Sequence, residues 1–257
     1  MLSPFFHAIH NAVIRWRYRE GFSTFEEAHA ATVRPLPHEE ILQRTIENTR
    51  AYLNVPPREE ILDSRSISLL FTVQTAILHS FARNGKKTIS VVDYGGVLGI
   101  HYFQARGVLP ADLSMKWMVV EAEDTAKAGN NFFSNQELSF ISELDGVSAN
   151  PDIIIAGNSL QYSADPYAVL STFKSIAPLF IILDHLPLSN HPRHRPMVEK
   201  DSPFHPSQEN PVWIFSRDLF LEKLEEMNLT IRLQCHEGME HPLLGAGGHS
   251  SLLLCRE

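Results

Sequence analysis

The residues best suited to chemistry surround a sharp change of pattern in TISVVDYGGVLGIHYF, residues 88–103. An apolar, β-branched run ends in Asp93. Three glycines then follow, Gly95, Gly96 and Gly99. Glycine has no Cβ and accepts positive φ, so this spacing lets a strand turn into a helix with its backbone close to a ligand. The spacing G-G-x-x-G differs from the G-x-G-x-x-G of a dinucleotide site, and Val97 stands where a further close-set glycine is expected.

A second polar residue, Glu121, ends the next apolar run, 22 residues after Gly99. The carboxyl ends of parallel strands form one edge of a sheet, where ligands bind. A carboxylate at that edge accepts hydrogen bonds from both hydroxyls of a ribose. The glycine turn, the carboxylate of Glu121 and the alternation of strands and helices together predict a nucleoside site. An ordinary tight turn with a solvated Glu121 is the simpler alternative.

The glycine turn also indicates which nucleoside is bound. A pyrophosphate needs backbone N–H groups at a helix N-terminus, usually with the regular glycine spacing. S-adenosylmethionine (SAM) has no phosphate, and its ammonium group calls for a carboxylate ahead of the turn, where Asp93 stands. VVDYGGVLG therefore resembles motif I of class I SAM-dependent methyltransferases. The same spacing disfavours an NAD-dependent oxidoreductase.

The resemblance extends through five further segments. They are WMVVEAEDTAKAG, LSFISEL, DIIIAGNSLQY, FIILDHLPL and NPVWIFSRDLFLEKLEEMNLTI. In order and spacing they resemble a bacterial family of methyltransferases linked to surface-polysaccharide gene neighbourhoods, over about residues 88–235. In that family the first motif commonly reads D-[FY]-G-G-x-[LM]-G, so the resemblance implies that Val97 is a family variant. Two departures are Gly157, where the family often has Ser, and His185, where it often has Arg.

The resemblance implies SAM as the cofactor and a set of residues around it. The expected cofactor-binding residues are Asp93, Gly95, Gly96, Gly99, Glu121, Phe140 and Asn158. Methyl transfer from a sulfonium is an in-line displacement, for which the protein supplies alignment and takes the proton of the acceptor.

Histidines are candidates for that proton, because imidazole titrates near neutral pH. His185, after the fifth strand, is the favoured one. His101 lies beside Tyr102 in the first turn of the helix after the glycines, and His7 and His10 face the cleft if the first helix forms a lid. A histidine that is merely hydrogen-bonded at a loop boundary is the alternative for each.

The stretch GNSLQY after the fourth strand is the substrate side of this fold. Asn158, Gln161 and Tyr162 are expected to orient the acceptor, with Tyr162 a further catalytic candidate. The alternative for Gln161 and Tyr162 is that they cap or pack the next helix. Asp184 and His185 raise the alternative of a divalent metal ion. No second carboxylate ends the fourth strand, so we predict no metal.

The elements that position these residues change character near residue 88. Residues 1–87 are predicted to be a helical extension or lid, without strands. Residues 88–257 are predicted to be a Rossmann-like α/β domain, a mostly parallel seven-stranded sheet that ends in an antiparallel hairpin. The expected strands are TISVVD, KWMVVE, ELSFI, DIIIAG, LFIILD, LTIRLQC and SSLLLC, and the expected helices are 98–106, 122–131, 165–175 and 217–227.

Residues 187–212 are predicted to be a long, mobile surface loop, rich in Pro and His. His191 and His194 in HPRHRP suggest zinc, but no further ligands stand at structural spacing. Arg193 and Arg195 suit closure of this loop over an anionic acceptor.

Composition narrows the partners. The chain has 257 residues, of which 44% are hydrophobic and 20% charged, with a net charge of −8 and no basic block. Nucleic acid is therefore excluded as the main partner, and a small-molecule or carbohydrate acceptor is expected. Two cysteines without metal spacing favour the reducing cytoplasm, and no apolar run approaches the ~20 residues of a membrane span.

The sequence thus predicts a SAM-dependent methyltransferase for a small or carbohydrate-like acceptor, most readily at oxygen. The alternative from another class is a SAM- or nucleotide-binding module without turnover in glycan assembly. The acceptor and the oligomeric state are not specified by the sequence.

Overall fold

All but one of the strands in the described residues lie after residue 87, with α-helices between several of them. The computed structural model describes residues 13, 16–33, 36–54, 64–84, 88–148, 150–200, 208–236, 241, 243–244 and 248–256. Before residue 88 it places β1 (Tyr18–Arg19), α1 (Phe25–Ala30), α2 (His38–Asn54) and α3 (Ser64–Asn84). The first helix expected from the sequence, with His7 and His10, lies almost wholly outside the described residues.

The part of the chain from residue 88 to residue 256 builds the main sheet and most of a second sheet. Its first half contains β2 (Thr88–Tyr94), α4 (Ile100–Val108), β3 (Ser114–Val120), α5 (Glu123–Phe132), β4 (Leu138–Ile141) and β5 (Ile153–Gly157). Its second half contains α6 (Pro166–Ile176), β6 (Phe180–Leu186), β7 (Leu188–Ser189), β8 (Arg195–Lys200), β9 (Glu209–Ser216), α7 (Arg217–Glu226), β10 (Leu229–His236) and β11 (Ser250–Arg256). The four helices predicted after residue 88 are each confirmed within two residues.

The main sheet has seven strands in the order β10-β11-β6-β5-β2-β3-β4. The pairs from β6 to β4 are parallel, while β11 is antiparallel to both β6 and β10. This confirms the mostly parallel seven-stranded sheet and its antiparallel final pair. The order changes direction at β2 and β5, so a ligand cleft is expected where these two strands end.

Helices cover both faces of this sheet, which is why its central strands are apolar throughout. Successive side chains of a strand point to opposite faces. Ile153 and Ile155 of β5 belong to one buried cluster, with residues of α3 and α4, whereas Ile154 and Ala156 belong to a second cluster, with residues of α6 and α7.

A second, four-stranded sheet occupies the region predicted to be a mobile loop. Its strand order is β1-β8-β9-β7, with β8 antiparallel to both β1 and β9 and β7 parallel to β9. The expectation of one long loop over 187–212 is therefore wrong, because three strands lie within it. The expectation of no strand before residue 88 is also wrong, because β1 pairs with β8 across about 180 residues of chain.

The N-terminal residues contact the rest of the protein in two places. Helix α1 packs against β8 and β9, and α3 packs against β6 and β11. Thr24 caps α1, because its hydroxyl accepts a hydrogen bond from the backbone N–H of Glu27. None of the helices in the described ranges combines the length and apolar character of a membrane span. The domain division at residue 87 stays a prediction.

Candidate functional site

The glycine turn links β2 to α4 through three left-handed residues. The φ angles are 73° at Gly95, 54° at Val97 and 84° at Gly99. A Cβ at Gly95 would lie 2.4 Å from Ser159 Cβ, so only glycine fits there. Gly99 begins α4 as its N-cap residue, and its N–H donates to the carbonyl of Gly96 at 2.9 Å. Val97 adopts a positive φ without being glycine, and its side chain is largely solvent-exposed.

Glu121 faces this turn from the end of β3. Its Oε1 accepts from the backbone N–H of Val97 at 2.9 Å, and its Oε2 accepts from that of Ala122 at 3.1 Å. Burial raises the pKa of the Glu121 carboxyl above its usual range, against the lowering effect of these two hydrogen bonds. A partly desolvated carboxylate beside the turn is positioned to accept hydrogen bonds from a diol, as the sequence predicts.

Between these elements lies a pocket of about 450 Å³, at the carboxyl ends of β2, β3 and β5. This volume lies within the range of ordinary small-molecule sites. Its lining residues are Tyr94, Gly95, Val97, Val120, Glu121, Ala122, Ser142, Asn158, Ser159, Tyr162 and Ser163. Four of the predicted site residues therefore meet in one cavity: Gly95, Glu121, Asn158 and Tyr162.

A larger groove of about 660 Å³ lies between α3 and the loop that leads into β3. Its wall is apolar except for Gln74 and Asp112, and it opens at the amino end of β3 rather than at the ligand-binding edge. A groove without several convergent polar groups does not suit a nucleoside. The pocket of about 450 Å³ beside the glycine turn is therefore the candidate site.

Asp93 lies beneath the glycine turn rather than in the pocket. Its side chain is 0% exposed. The Nδ1 of His101 lies 3.0 Å from Oδ1, and Trp117 Nε1 donates to Oδ2 at 3.2 Å. A Cβ at Gly96 would lie 2.4 Å from Oδ2, so the carboxylate presses against the turn from below. Asp93 thus supports the turn, and its expected contact with a ligand ammonium group stays a prediction.

His101 has a similar supporting place. It is buried in the first turn of α4, and its ring lies against Gly157 at the end of β5. A Cβ at Gly157 would be 2.5 Å from His101 Cε1, which gives a physical reason for glycine rather than Ser at this position. The ring is enclosed by Asp93 and the strand end and so supports the turn, while the role of His101 as a catalytic base stays a prediction.

Phe140 is likewise behind the site. Its side chain is buried, and a Cβ at Gly129 of α5 would lie 2.4 Å from its ring. A Cβ at Gly99 would lie 3.4 Å from the same ring. Phe140 thus packs α5 and the glycine turn onto β4, and its expected contact with the cofactor stays a prediction; Ser142, two residues further on, lines the pocket.

Asn158, Gln161 and Tyr162 form the opposite wall. Asn158 has a φ of 54°, and its Oδ1 accepts from Gln161 Nε2 at 2.7 Å. Gln161 is buried and therefore supports Asn158 from behind. Tyr162 ends a 3₁₀ turn, Leu160–Tyr162, and reaches the cavity itself. Gln161 therefore packs behind the pocket wall, whereas Asn158 and Tyr162 line the cavity.

His185, the favoured base, is not among the residues that line the pocket. It follows Asp184 near the end of β6 with a φ of 56°, and its ring stacks on that of His249 with 3.8 Å between centroids. The side chain of Asp184 is also buried and accepts a hydrogen bond from Ser251. The His185 ring is not part of the pocket wall, although the His185 carbonyl accepts from Gln161 Nε2 at 3.4 Å, and its catalytic role stays a prediction.

HPRHRP, residues 191–196, forms the bend after β7 and the first two residues of β8. The backbone N–H of Ser216 donates to His194 Nδ1 at 2.9 Å, and His194 Nε2 lies 2.9 Å from the hydroxyl of Tyr167. Arg195 donates to the carbonyl of Leu243 at 3.2 Å. His194 thus links the bend to β9 and α6, and Arg195 links β8 to the turn at Leu243, while closure over an anionic acceptor stays a prediction. Among the described residues no three His, Cys, Asp or Glu side chains cluster as metal ligands do.

One residue behind the pocket wall was missed from the sequence. Glu199 of β8 is 4% exposed and accepts a hydrogen bond from Tyr162. The only sequence signal is an acid at the end of the apolar stretch PMVE. That signal gains meaning once the region is known to form strands rather than a loop.

Comparisons with known proteins give matches to solved structures only. No family model and no curated protein matches the sequence. An amino pentose methyltransferase from Micromonospora echinaspora, solved with SAM bound, is 12% identical with a TM-score of 0.50, over 82% of this chain and 97% of that one. The CurJ carbon methyltransferase is 11% identical with a TM-score of 0.50, over 86% of this chain and 61% of that one. A SAM-dependent methyltransferase from Clostridium acetobutylicum is 12% identical with a TM-score of 0.49, over 82% and 98%.

Identities this low show the fold alone. The protein has the Rossmann-like fold found in SAM-dependent methyltransferases, with a mostly parallel central sheet and helices on both faces. The surface-polysaccharide family resembled by the sequence segments is not identified by these matches.

Proposed function

We propose that the protein is a SAM-dependent methyltransferase that acts on oxygen of a small or carbohydrate-like acceptor. One observation carries the proposal: the pocket joins the glycine turn, the carboxylate of Glu121 and the polar wall of Asn158 and Tyr162 in a single cavity. The fold supports it, since this cavity opens where the strand order of the sheet changes direction. One solved structure with this fold is named as an amino pentose methyltransferase, which agrees with a sugar-like acceptor.

The residues present fit the proposed cofactor. A side chain at Gly95 would meet Ser159 of the pocket wall, and Glu121 presents a carboxylate for the ribose hydroxyls. Asn158 adds a second polar side chain to the same pocket. When bound, SAM supplies an electrophilic methyl group. The protein's own part is to align the acceptor and to take its proton.

A ligand-binding experiment tests the cofactor. Titration calorimetry with SAM, S-adenosylhomocysteine and NAD is expected to show binding of the two sulfur nucleosides. Glu121→Ala is expected to weaken that binding by at least about tenfold, the loss of roughly one charged hydrogen-bonded contact. Glu123→Ala removes an exposed carboxylate two residues away and serves as the matched control, with unchanged affinity. Binding of NAD but of neither sulfur nucleoside would contradict the cofactor assignment.

A transfer experiment tests the reaction. The wild-type protein is incubated with methyl-labelled SAM and a panel of methyl glycosides, amino sugars, sugar nucleotides, catechols and carboxylic acids. Label is expected in an alcohol-bearing acceptor. A protein that holds SAM but labels no compound would support the binding module without turnover instead.

A further inference from the structure

The wall of the pocket formed by Tyr162 continues into the second sheet. Tyr162 is half-buried, and its hydroxyl donates to Glu199 Oε2 at 2.5 Å. The other oxygen of Glu199, Oε1, accepts from the hydroxyl of Tyr18 at 2.9 Å and pairs with Arg17 at 2.8 Å. Three donors therefore converge on one buried carboxylate directly behind the cavity.

This arrangement fixes the direction of the Tyr162 hydrogen bond. A phenol has a single proton, and that of Tyr162 is given to Glu199. Burial, reinforced by the charge of Glu199, raises the pKa of Tyr162 well above its ordinary value, so the phenol stays protonated. The Tyr162 oxygen therefore has only lone pairs left for a group bound in the cavity that Tyr162 lines. A ligand group that carries a hydrogen suits this surface, whereas a carboxylate faces repulsion.

We propose that Tyr162 and Glu199 form the acceptor subsite, in which Tyr162 binds a hydroxyl or amine hydrogen and Glu199 receives the displaced proton through Tyr162. This inference rests on the proposed function. In transfer to a hydroxyl, the acceptor oxygen forms its bond to the methyl carbon as the carbon–sulfur bond breaks. The acceptor proton passes to the Tyr162 oxygen as the phenol proton passes to Glu199, so the sulfonium charge and the carboxylate charge disappear together.

Tyr162 is the catalytic residue of this pair, and Glu199 is a positioning residue that acts through it. The pair takes the task that the sequence assigned to His185, whose ring stacks on His249 instead of lining the cavity. Its parts come from distant places in the chain, because β1 and β8 bring Tyr18 opposite Glu199 in register. The second sheet thereby supports the pocket wall from behind, through the contact of Glu199 with Tyr162.

Two variants test the subsite. Tyr162→Phe removes the atom that binds the acceptor, and Glu199→Gln keeps size and hydrogen bonding but removes the charge. Both are expected to bind S-adenosylhomocysteine within about twofold of wild type, while kcat falls by about 100-fold or more, as for loss of general-base assistance. In Glu199→Gln, KM for the acceptor should stay close to the wild-type value. Tyr167→Phe removes a buried hydroxyl outside the pocket and is the matched control, with unchanged kcat.

A binding measurement is independent of turnover. Saturation-transfer NMR on the complex with S-adenosylhomocysteine is expected to show contacts to methyl glycosides or amino sugars in wild type and Glu199→Gln, and a loss of those contacts in Tyr162→Phe. Full turnover in Glu199→Gln, equal glycoside binding by Tyr162→Phe, or the absence of any bound hydroxyl or amine compound would overturn the subsite. If S-adenosylhomocysteine itself does not bind, the proposed function fails and the inference with it.

Discussion

The cofactor edge of the main sheet and the second sheet differ in how their parts are distributed along the chain. The glycine turn and Glu121 lie within about 30 consecutive residues and are held by one parallel strand pair, β2–β3. The second sheet joins β1 to strands about 180 residues away and centres on the buried Glu199. The first region presents backbone and one carboxylate to a ligand, whereas the second supports the pocket wall from behind.

Because of this difference, we expect variants in the two regions to act separately on ligand binding and on the stability of the fold. Residues at the cofactor edge are expected to govern the affinity for SAM with smaller effects on unfolding. Residues of the second sheet are expected to govern unfolding and acceptor chemistry, with SAM affinity retained. The following variants break or sharpen that contrast, beginning with the largest effect.

Glu199→Ala is expected to lower the free energy of unfolding by about 2–4 kcal/mol. The physical reason is that Tyr18, Tyr162 and Arg17 lose the acceptor they share, and buried donors are costly to deprive of a partner. Urea unfolding followed by circular dichroism measures the change. Glu20→Ala, which removes an exposed carboxylate that follows β1, is the control, with a change within about 0.5 kcal/mol. SAM affinity lost together with stability would remove the contrast between the two regions.

Gly95→Ala is expected to weaken SAM binding by about tenfold to a hundredfold. The new Cβ would lie 2.4 Å from Ser159 Cβ at a φ of 73°, so the turn must shift, at about 1–3 kcal/mol for such overpacking. Calorimetry measures the affinity. Gly107→Ala is the matched control, because a Cβ there meets no atom within 4 Å. Wild-type affinity in Gly95→Ala would show that the turn does not approach the ligand.

Gly157→Ser is expected to cost about 1–3 kcal/mol of stability, because the new side chain overlaps the buried ring of His101. The double variant His101→Ala with Gly157→Ser should recover part of that loss, since the smaller residue vacates the same space. A double-mutant cycle from thermal or urea unfolding measures the coupling. Additive losses would show that His101 and Gly157 are not matched.

The smallest expected effect concerns the pH dependence contributed by Glu121. Its pKa in the folded protein is raised from the ordinary 4.5, mainly by burial, so the folded state binds this proton more tightly than the unfolded state. The contribution to stability is therefore present below pH 4.5 and is lost as the pH rises through the raised value. Relative to Glu121→Gln, the wild-type protein should lose stability over this interval in urea unfolding at a series of pH values. A difference between the two proteins that does not change with pH would contradict the raised pKa.

Much of the main sheet was predictable because its signals are local. TISVVD and DIIIAG are short apolar runs followed by glycine or by a turn, and each forms a strand. The positions of Gly95, Glu121 and Asn158 at strand ends also followed from the pattern, since parallel strands place their carboxyl ends at one edge. The roles of Asp93, His101 and Phe140 did not follow, because a strand-end residue can point into the pocket or beneath it. That choice depends on which face of the strand the side chain occupies and on what fills the space.

The second sheet shows the opposite case. Two of its strands contain Pro196 and Pro211, and β1 pairs with a strand about 180 residues away, so neither periodicity nor turn residues indicate this sheet. Glu199 resembles an ordinary surface acid until β1 covers it. Burial, not sequence, distinguishes this carboxylate.

By itself, the sequence determined the alternation of strands and helices, the parallel sheet and the position of the glycine turn with Glu121. These depend on residue types within a few positions of one another, which act through backbone conformation and hydrophobic periodicity. Only the tertiary structure decided that Asp93 and His101 support the turn, that His185 stacks on His249 and that Glu199 lies behind Tyr162. Those placements arise when strands distant in sequence pair, because pairing alone determines which polar groups meet and which are removed from water.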